Sequence, residues 1–243
     1  ESLPIVEAPG RFGPCVNGVG KFICIGLNYA DHAAESGGSF VIAPPLCIGA
    51  SEASGGSDLQ NAQTVTNSGT IKAANSFAIS GQSIDSSFGT LQSGGQMSLV
   101  TTGDVNLTSA TLNAGSLGLQ AGGNLVLDTA VKTLSQVSDT GATRVTATLG
   151  PVASINVTGN AAITTGGNFE QDAASLNVGG ALGMSIGGNW NLGALQTGET
   201  KVEARANGIS DTHIVSDVGS SVKVGGASLI AVGGDLTATG ANI

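Results

Sequence analysis

Apolar and polar residues alternate in short stretches along most of the chain from about residue 60 onward. The apolar residues come in pairs two positions apart, as in Met97 and Leu99 or Leu117 and Leu119. This spacing is typical of β-strands that bury one face, because successive side chains of a strand point to opposite sides. The pattern therefore predicts many short strands, each followed by a turn.

A glycine pair, followed by a polar and then an apolar residue, marks five of these turns. The copies begin at Gly94, Gly122, Gly166, Gly187 and Gly233. Glycine and the polar residue after it tolerate the backbone conformations that tight turns require. The same motif at turn after turn indicates a repeat protein.

The repeat can be measured by shifting the sequence against itself. A shift of 20 superimposes Phe77 on Met97 and Met97 on Leu117, and a later shift of 21 superimposes Phe169 on Trp190. Equal spacing stacks like side chains in columns and sets the strands of successive repeats side by side, parallel and in register. The predicted fold class is all-β: a right-handed parallel β-helix, or solenoid, of about 20–21 residues per coil, with a short non-repeat N-terminal segment.

Three other β architectures are alternatives to this helix. A left-handed hexapeptide helix needs multiples of six residues per coil, which neither 20 nor 21 provides. A calcium-binding nonapeptide repeat is excluded because the fourth position of the glycine motif is apolar. A β-sandwich stays open, because turns every 8 to 12 residues also suit that fold.

The predicted domain organisation has two parts. Residues 1–58, where prolines and aromatic residues cluster, are predicted to be a non-repeat segment that serves as a cap or is a fusion remnant. Residues 59–243 carry the repeats, with insertions near 131–154 and 197–220 that form either irregular coils or hairpins. Trp190, on the same strand position as Phe169, is predicted to be a core residue.

Charge and cysteine content limit the function. The chain has a net charge of −9 and only eight Lys and Arg, which are scattered singly, so we expect no nucleic acid partner. No apolar run is long enough for a spanning helix, so we expect no membrane insertion. The first residues lack the features of a signal peptide, so if the protein is exported we expect this chain to be an internal or processed piece. Three cysteines without CxxC spacing indicate neither a disulfide framework nor zinc.

The repeats resemble a known family. The stretch from Gly122 to Ala130, and the stretch from Val215 to Ile243, look like the haemagglutinin repeats of filamentous haemagglutinins and contact-dependent inhibition toxins. The resemblance covers about 60–243. It implies a structural β-helical stalk segment of a secreted adhesin or toxin, exported by two-partner secretion to the cell surface of a Gram-negative bacterium.

The stalk interpretation predicts a protein that is not an enzyme and has no cofactor. The expected partners are a receptor or glycan on a host or neighbouring cell and the outer-membrane export partner of the parent protein. Open strands at the ends of a solenoid also predict end-to-end self-association. The alternative is a self-assembling extracellular fibre subunit.

An enzyme that acts on polysaccharides is a further alternative, since such β-helical enzymes place carboxylates on an exposed strand face. Glu170 and Asp172 come nearest to such a pair, because two residues apart on a strand they share a face. A metal site at His213, with Asp211 and Asp217 nearby, lacks the three or four converging ligands that a transition metal needs. We therefore predict no catalytic, cofactor-binding or metal-binding residue in the repeats.

Residues 9–38 resemble a different family. The stretch from Gly20 to Gly37 looks like the N-terminal part of the catalytic domain of fumarylacetoacetate hydrolase family enzymes. The resemblance implies that His32 and Glu35 are an acid/base pair, if the hydrolase resemblance is functional. The downstream carboxylates of the family's metal site are missing before the repeats begin, so hydrolase activity is not expected.

Overall fold

The computed structural model describes residues 40–41, 46–48, 51–52, 57–139, 141–205 and 207–243, with side chains from residue 64 onward except that of Arg205. The predicted cap therefore lies almost entirely outside the described residues, as do His32 and Glu35. Every regular element in the described part is a β-strand, which confirms the all-β class. No described segment forms a helix of the length and apolarity needed to cross a membrane.

The described chain contains 24 strands. They are β1 (Phe40–Val41), β2 (Leu46–Ile48), β3 (Ser51–Glu52), β4 (Ser57–Asn67), β5 (Thr70–Ala73), β6 (Phe77–Asp85), β7 (Thr90–Ser93), β8 (Gln96–Thr101), β9 (Val105–Asn106), β10 (Thr111–Ala114), β11 (Ser116–Ala121), β12 (Leu125–Val126), β13 (Val131–Val137), β14 (Thr143–Leu149), β15 (Ser154–Val157), β16 (Ala161–Thr165), β17 (Phe169–Asp172), β18 (Ser175–Val178), β19 (Leu182–Ile186), β20 (Trp190–Arg205), β21 (Gly208–Gly219), β22 (Ser221–Val224), β23 (Ser228–Val232) and β24 (Leu236–Ala238).

Most strands lie in three stacks of parallel neighbours. One stack is a seven-stranded sheet in the order β22-β18-β15-β10-β7-β5-β3. The second runs through β6, β8, β11, β16, β19 and β23. The third runs through β9, β12, β17, β20 and β24. Each complete repeat contributes one strand to each stack, so equivalent residues of successive repeats become neighbours.

The observed pairing has the register that the sequence predicts. Met97 pairs with Leu117, and Phe169 pairs with Trp190. After the second interruption Leu176 pairs with Val222, so the parallel stack continues beyond the interruption. Parallel pairing of the repeats is therefore confirmed.

The core consists of columns of apolar side chains on the buried faces of the parallel strands. Met97, Leu125 and Phe169 are fully buried. The rings of Phe169 and Trp190 stack with centroids 5.7 Å apart and planes 6° apart. Trp190 is 1% exposed, which confirms the prediction that it is a core residue.

Antiparallel hairpins occupy the two interruptions of the repeat. β13 pairs with β14, and the outer part of β20 pairs with β21. β14 also pairs with β20, so the two hairpins join in one four-stranded antiparallel sheet, here called the lateral sheet (131–137, 143–149, 194–205 and 208–219). An ion pair of 2.7 Å joins Arg144 on β14 to Glu199 on β20. It raises the pKa of the Arg144 guanidinium and lowers the pKa of the Glu199 carboxyl.

Candidate functional site

Three ionisable side chains lie together on the parallel stacks, Asp128, Glu170 and Asp172, here called the acidic cluster. β12 and β17 are parallel neighbours, with Val126 opposite Glu170. Two residues further along in the same register, Asp128 lies beside Asp172. The backbone N–H of Asp172 donates to Oδ1 of Asp128 at 2.9 Å. The amide of Asn191 donates to Oε2 of Glu170 at 2.8 Å. The repeat thus places three carboxyl groups on one half-buried edge.

The environment of two members of the cluster, Asp128 and Asp172, raises the pKa of their carboxyl groups. The pKa of Asp128 is raised to about 6 from its ordinary value of 3.8, chiefly because burial disfavours the charged form and secondly because Asp172 and Glu170 are negative; the N–H bond from Asp172 opposes this. Burial, followed by the charge of Glu170, also raises the pKa of Asp172, against a hydrogen bond from the N–H of Gly193. A carboxyl that titrates near pH 6 can exchange a proton in the neutral range.

The raised pKa predicts that Asp128 lowers stability at neutral pH. Since the folded state binds this proton more tightly than the unfolded state, the free energy of unfolding falls as pH rises from about 4 to about 6 and then levels off. We expect Asp128→Asn to raise the free energy of unfolding at pH 7 by about 1–2 kcal/mol, a value reduced for the solvent screening of a half-buried group. The gain should vanish near pH 4, which denaturant unfolding at both pH values will measure.

Asp128→Ala is the matched control for this prediction. Asparagine keeps an oxygen that accepts the N–H of Asp172, whereas alanine leaves that N–H without its acceptor. The alanine variant should therefore be about 1 kcal/mol less stable than the asparagine variant at both pH values. An asparagine variant that is no more stable than the parent at pH 7 would contradict the role given to the Asp128 charge.

The sequence identified only part of this cluster. Glu170 and Asp172 share the outward side of β17, as predicted. Asp128 was missed because 44 residues separate it from Asp172, a distance that includes the first hairpin. A signal was available: aligning the glycine pair at Gly122 with the pair at Gly166 also gives a shift of 44 and superimposes Asp128 on Asp172.

A second row of polar groups explains the polar position of the glycine motif. Oδ1 of Asp104 accepts the backbone N–H of Asn124 at 2.6 Å, and Oδ1 of Asn124 accepts the N–H of Asn168 at 2.8 Å. Asn168 and Asn189 continue the row toward Asp235 at 2.9 Å each. Each side chain satisfies the backbone of the next repeat, so this row has a structural role.

An open groove of about 390 Å³ lies on the seven-stranded sheet, between β15, β18 and β22. Its polar lining residues are Asn156, Thr158, Asn177 and Lys223. The amide of Asn177 donates to Oδ1 of Asn156 at 2.9 Å, and the amide of Asn156 donates to Oδ1 of Asn113 at 3.1 Å, so both amides of this lining already donate within the protein. The groove offers hydrogen-bonding amides and one ammonium group, with no carboxylate among its lining residues.

The other predicted candidates give no converging site in the described chain. Asp211, His213 and Asp217 all lie on β21, opposite Val202, Thr200 and Gln196. The Gln196 amide donates to Oδ1 of Asp217 at 3.2 Å. Among the described residues, no three His, Cys, Asp or Glu side chains are arranged to hold a metal ion. His32 and Glu35 cannot be placed, because they lie outside the described residues.

Comparison with known proteins identifies relatives of most of the chain. Over 189 residues, 78% of the chain, it is 58% identical to "tRNA nuclease CdiA-2" of Burkholderia pseudomallei (strain 1026b). Over 146 residues it is 62% identical to a "tRNA nuclease CdiA" of Burkholderia pseudomallei, and over 190 residues it is 38% identical to "Toxin CdiA" of Yersinia pestis. These relatives are CdiA contact-dependent inhibition toxins. The matched segment spans 6%, 12% and 6% of their respective lengths.

A short stretch has a different relative. Over 36 residues, 15% of the chain, the sequence is 67% identical to "Putative hydrolase Bcen2424_5521" of Burkholderia cenocepacia, of which it spans 13%. No family model matches the chain, and no solved structure matches it. The comparisons support the contact-dependent inhibition family, whereas the haemagglutinin-repeat and fumarylacetoacetate hydrolase resemblances stay predictions.

The names of the relatives correct three predictions. A tRNA nuclease is an enzyme that acts on a nucleic acid, so the predictions of a non-enzymatic structural stalk segment and of no nucleic acid partner are wrong. The fibre subunit and the polysaccharide enzyme find no support in these names either, and the relative named as a putative hydrolase matches only 15% of the chain. The predictions rested on the charge and repeats of 243 residues. Those properties describe one segment only. They do not reveal the activity for which the relatives, which are many times longer, are named.

Proposed function

We propose that this chain is part of a contact-dependent inhibition toxin of the CdiA type and that the whole toxin acts as a tRNA nuclease. The observation that carries the proposal is the 58% identity with tRNA nuclease CdiA-2 over 78% of the chain. Because the match spans 6% of that relative, tRNA cleavage is proposed for the whole protein. No residue of this chain is assigned a contact with tRNA.

We infer that the three parallel stacks close into a right-handed β-helix of about 20–21 residues per coil, built from haemagglutinin-type repeats. Two observations support the inference. Successive strands of each stack come from successive repeats, and connections between parallel strands are almost always right-handed. The stacked glycine pairs also let the backbones of neighbouring repeats approach closely at the turns.

We propose that the toxin is secreted and displayed on the surface of a Gram-negative bacterium. Inhibition by contact requires a molecule that reaches the outside of the producing cell. A tRNA substrate lies inside the target cell, so the nuclease activity must be delivered there. The relatives from Burkholderia pseudomallei and Yersinia pestis support this localisation.

Mixed culture of two strains tests the function. A producer with the intact gene for this protein, and a producer from which the gene is deleted, are each grown on a solid surface with target bacteria. We expect only the intact producer to lower the number of recoverable targets. Target RNA on a denaturing gel should show cleaved tRNA with intact ribosomal RNA, because the proposed activity is specific for tRNA.

A porous membrane between producer and target is the control for contact. Diffusible toxins pass through the pores, whereas a toxin displayed on the producer surface does not reach the target. Loss of inhibition behind the membrane supports the proposal. The proposal would be overturned by intact tRNA in targets that touch the intact producer, or by equal inhibition with and without the membrane.

A further inference from the structure

β13 is an open edge of the lateral sheet. It pairs with β14 on one side and, in the part of the chain that the structure describes, with no strand on the other. All seven of its residues are exposed, Val137 by 71%. An edge of this kind is a template for another strand.

Two hydrogen bonds establish which backbone groups face the open side. Ser138 donates its N–H to the carbonyl oxygen of Ala142 at 2.8 Å, and Gly150 donates to the carbonyl oxygen of Ala130 at 2.8 Å. In an antiparallel ladder every second residue directs both its N–H and its C=O toward the partner strand. The even-numbered residues of β13 therefore bond to β14, and its odd-numbered residues direct N–H and C=O outward.

The sequence of β13 is nearly symmetric about its central residue. It reads Val-Lys-Thr-Leu-Ser-Gln-Val, with Leu134 at the centre. An antiparallel copy placed on a two-fold axis at Leu134 sets Val131 opposite Val137, Thr133 opposite Ser135, Lys132 opposite Gln136 and Leu134 opposite its own copy. Apolar residues then face apolar residues, hydroxyls face hydroxyls, and the single charge of the strand faces a neutral amide.

We propose that β13 is a self-association edge, through which two copies of this chain pair antiparallel and join their lateral sheets. In this register the outward-facing residues Val131, Thr133, Ser135 and Val137 become hydrogen-bonded pairs across the two-fold axis. Each such pair exchanges two backbone hydrogen bonds, so the backbone groups of the edge are satisfied by the second copy. Isologous contacts of this type are the common way to form a two-fold dimer.

The side chains of the lateral sheet support a second copy as the occupant. Val131 and Val137 lie on the same face as Val145 and Val202, because cross-strand partners share a face. Pairing brings Val131 of one copy against Val137 of the other and so joins the two groups of valines. Leu134, which is 50% exposed, meets its own copy on the opposite face.

Charge decides how strong the association is. Each copy carries a net charge of −9, so two copies repel one another at long range. Lys132 is the only charged residue of β13, and it does not face a charge in the proposed register. We therefore expect a weak dimer whose population rises with protein concentration and with salt, since salt screens the long-range repulsion.

Sedimentation equilibrium of two charge variants tests the register. In Thr133→Glu with Ser135→Glu, like charges face each other twice across the axis. In Thr133→Glu with Ser135→Lys, opposite charges face each other twice. We expect the parent and the Glu/Lys variant to form a dimer of twice 23.6 kDa, and the Glu/Glu variant to associate at least tenfold more weakly.

Circular dichroism of both variants separates association from folding, because both change the same two exposed positions. Equal association of the Glu/Glu and Glu/Lys variants would overturn the proposal. So would a parent chain that stays monomeric over the whole concentration series at high salt. A monomeric parent chain would instead indicate that the open edge pairs with a strand of another protein.

Cysteine cross-linking provides an independent test of the two-fold axis. In a chain with Cys15, Cys24 and Cys47 replaced by serine, Leu134→Cys places two thiols directly opposite each other, at a spacing that a disulfide can bridge. Gln136→Cys is the matched control, because its copy lies farther along the strand, opposite Lys132. Mild oxidation should cross-link the first variant and not the second. Cross-linking of both to the same extent would contradict the register.

Discussion

Replacement of Trp190 by alanine is expected to lower the free energy of unfolding by about 3–5 kcal/mol, the largest loss from a single substitution considered for this chain. The side chain is 1% exposed and stacks on Phe169 at a centroid distance of 5.7 Å. Alanine removes the indole ring and leaves a cavity between stacked strands that cannot collapse without breaking the parallel register. Equilibrium unfolding in urea, followed by circular dichroism, measures the loss.

Two controls isolate the effect of the buried ring. Trp190→Phe keeps an aromatic ring in the stack and loses no hydrogen bond within the described chain, where the indole N–H has no partner; we expect a cost of about 1–2 kcal/mol. Leu236→Ala changes the next residue of the same column, which is 52% exposed, and should cost about 1 kcal/mol or less. Equal losses for Trp190→Ala and Leu236→Ala would contradict a continuous core at this position.

The second large effect is expected at the stacked glycine turns. Gly166 does not have a positive φ, so any residue can adopt its backbone conformation. Glycine is required because a Cβ on residue 166 would clash with the carbonyl oxygen of Gly122. Gly187 stands in the same relation to the carbonyl oxygen of Gly166. We expect Gly166→Ala to cost about 1–3 kcal/mol in the free energy of unfolding, because a backbone atom cannot move aside cheaply.

Gly183→Ala is the matched control, since Gly183 lies on strand β19 of the second parallel stack with no heavy atom within 4 Å of the added Cβ. Alanine there reduces the freedom of the unfolded chain and should raise the free energy of unfolding by about 0.4–1 kcal/mol. Thermal or urea unfolding of the two variants should therefore shift in opposite directions. Shifts of the same sign and size would show that the turn is not closely packed.

The sequence predicted the parallel stacks well because their cause is periodic. Phe77, Met97 and Leu117 occupy the same position in successive repeats, and a fixed shift is enough to assign them as neighbours. The lateral sheet could not be assigned in this way. β14 and β20 meet across 55 residues between Arg144 and Glu199, and alternation within a strand does not reveal which distant strand it will join.

The candidate site shows the same division between local and distant information. Glu170 and Asp172 were identified because they are two residues apart on one strand. Asp128 joins them only through the parallel pairing of β12 with β17, and its raised pKa depends on burial that composition does not report. The nuclease activity named for the relatives could not be predicted from these residues, because the matched segment spans only 6–12% of the Burkholderia toxins named as tRNA nucleases.

The lateral sheet has a consequence for how the length of this protein can change in evolution. Similar repeats of about 21 residues invite unequal recombination, and a repeat gained or lost elsewhere leaves the contacts between its neighbours of the same kind as before. Between the two hairpins this freedom is lost. One added or deleted repeat there would displace β20 from β14 by about one strand spacing, roughly 4.8 Å, and would separate Arg144 from Glu199. We expect homologous genes to vary in repeat number outside this interval and to keep it constant within it.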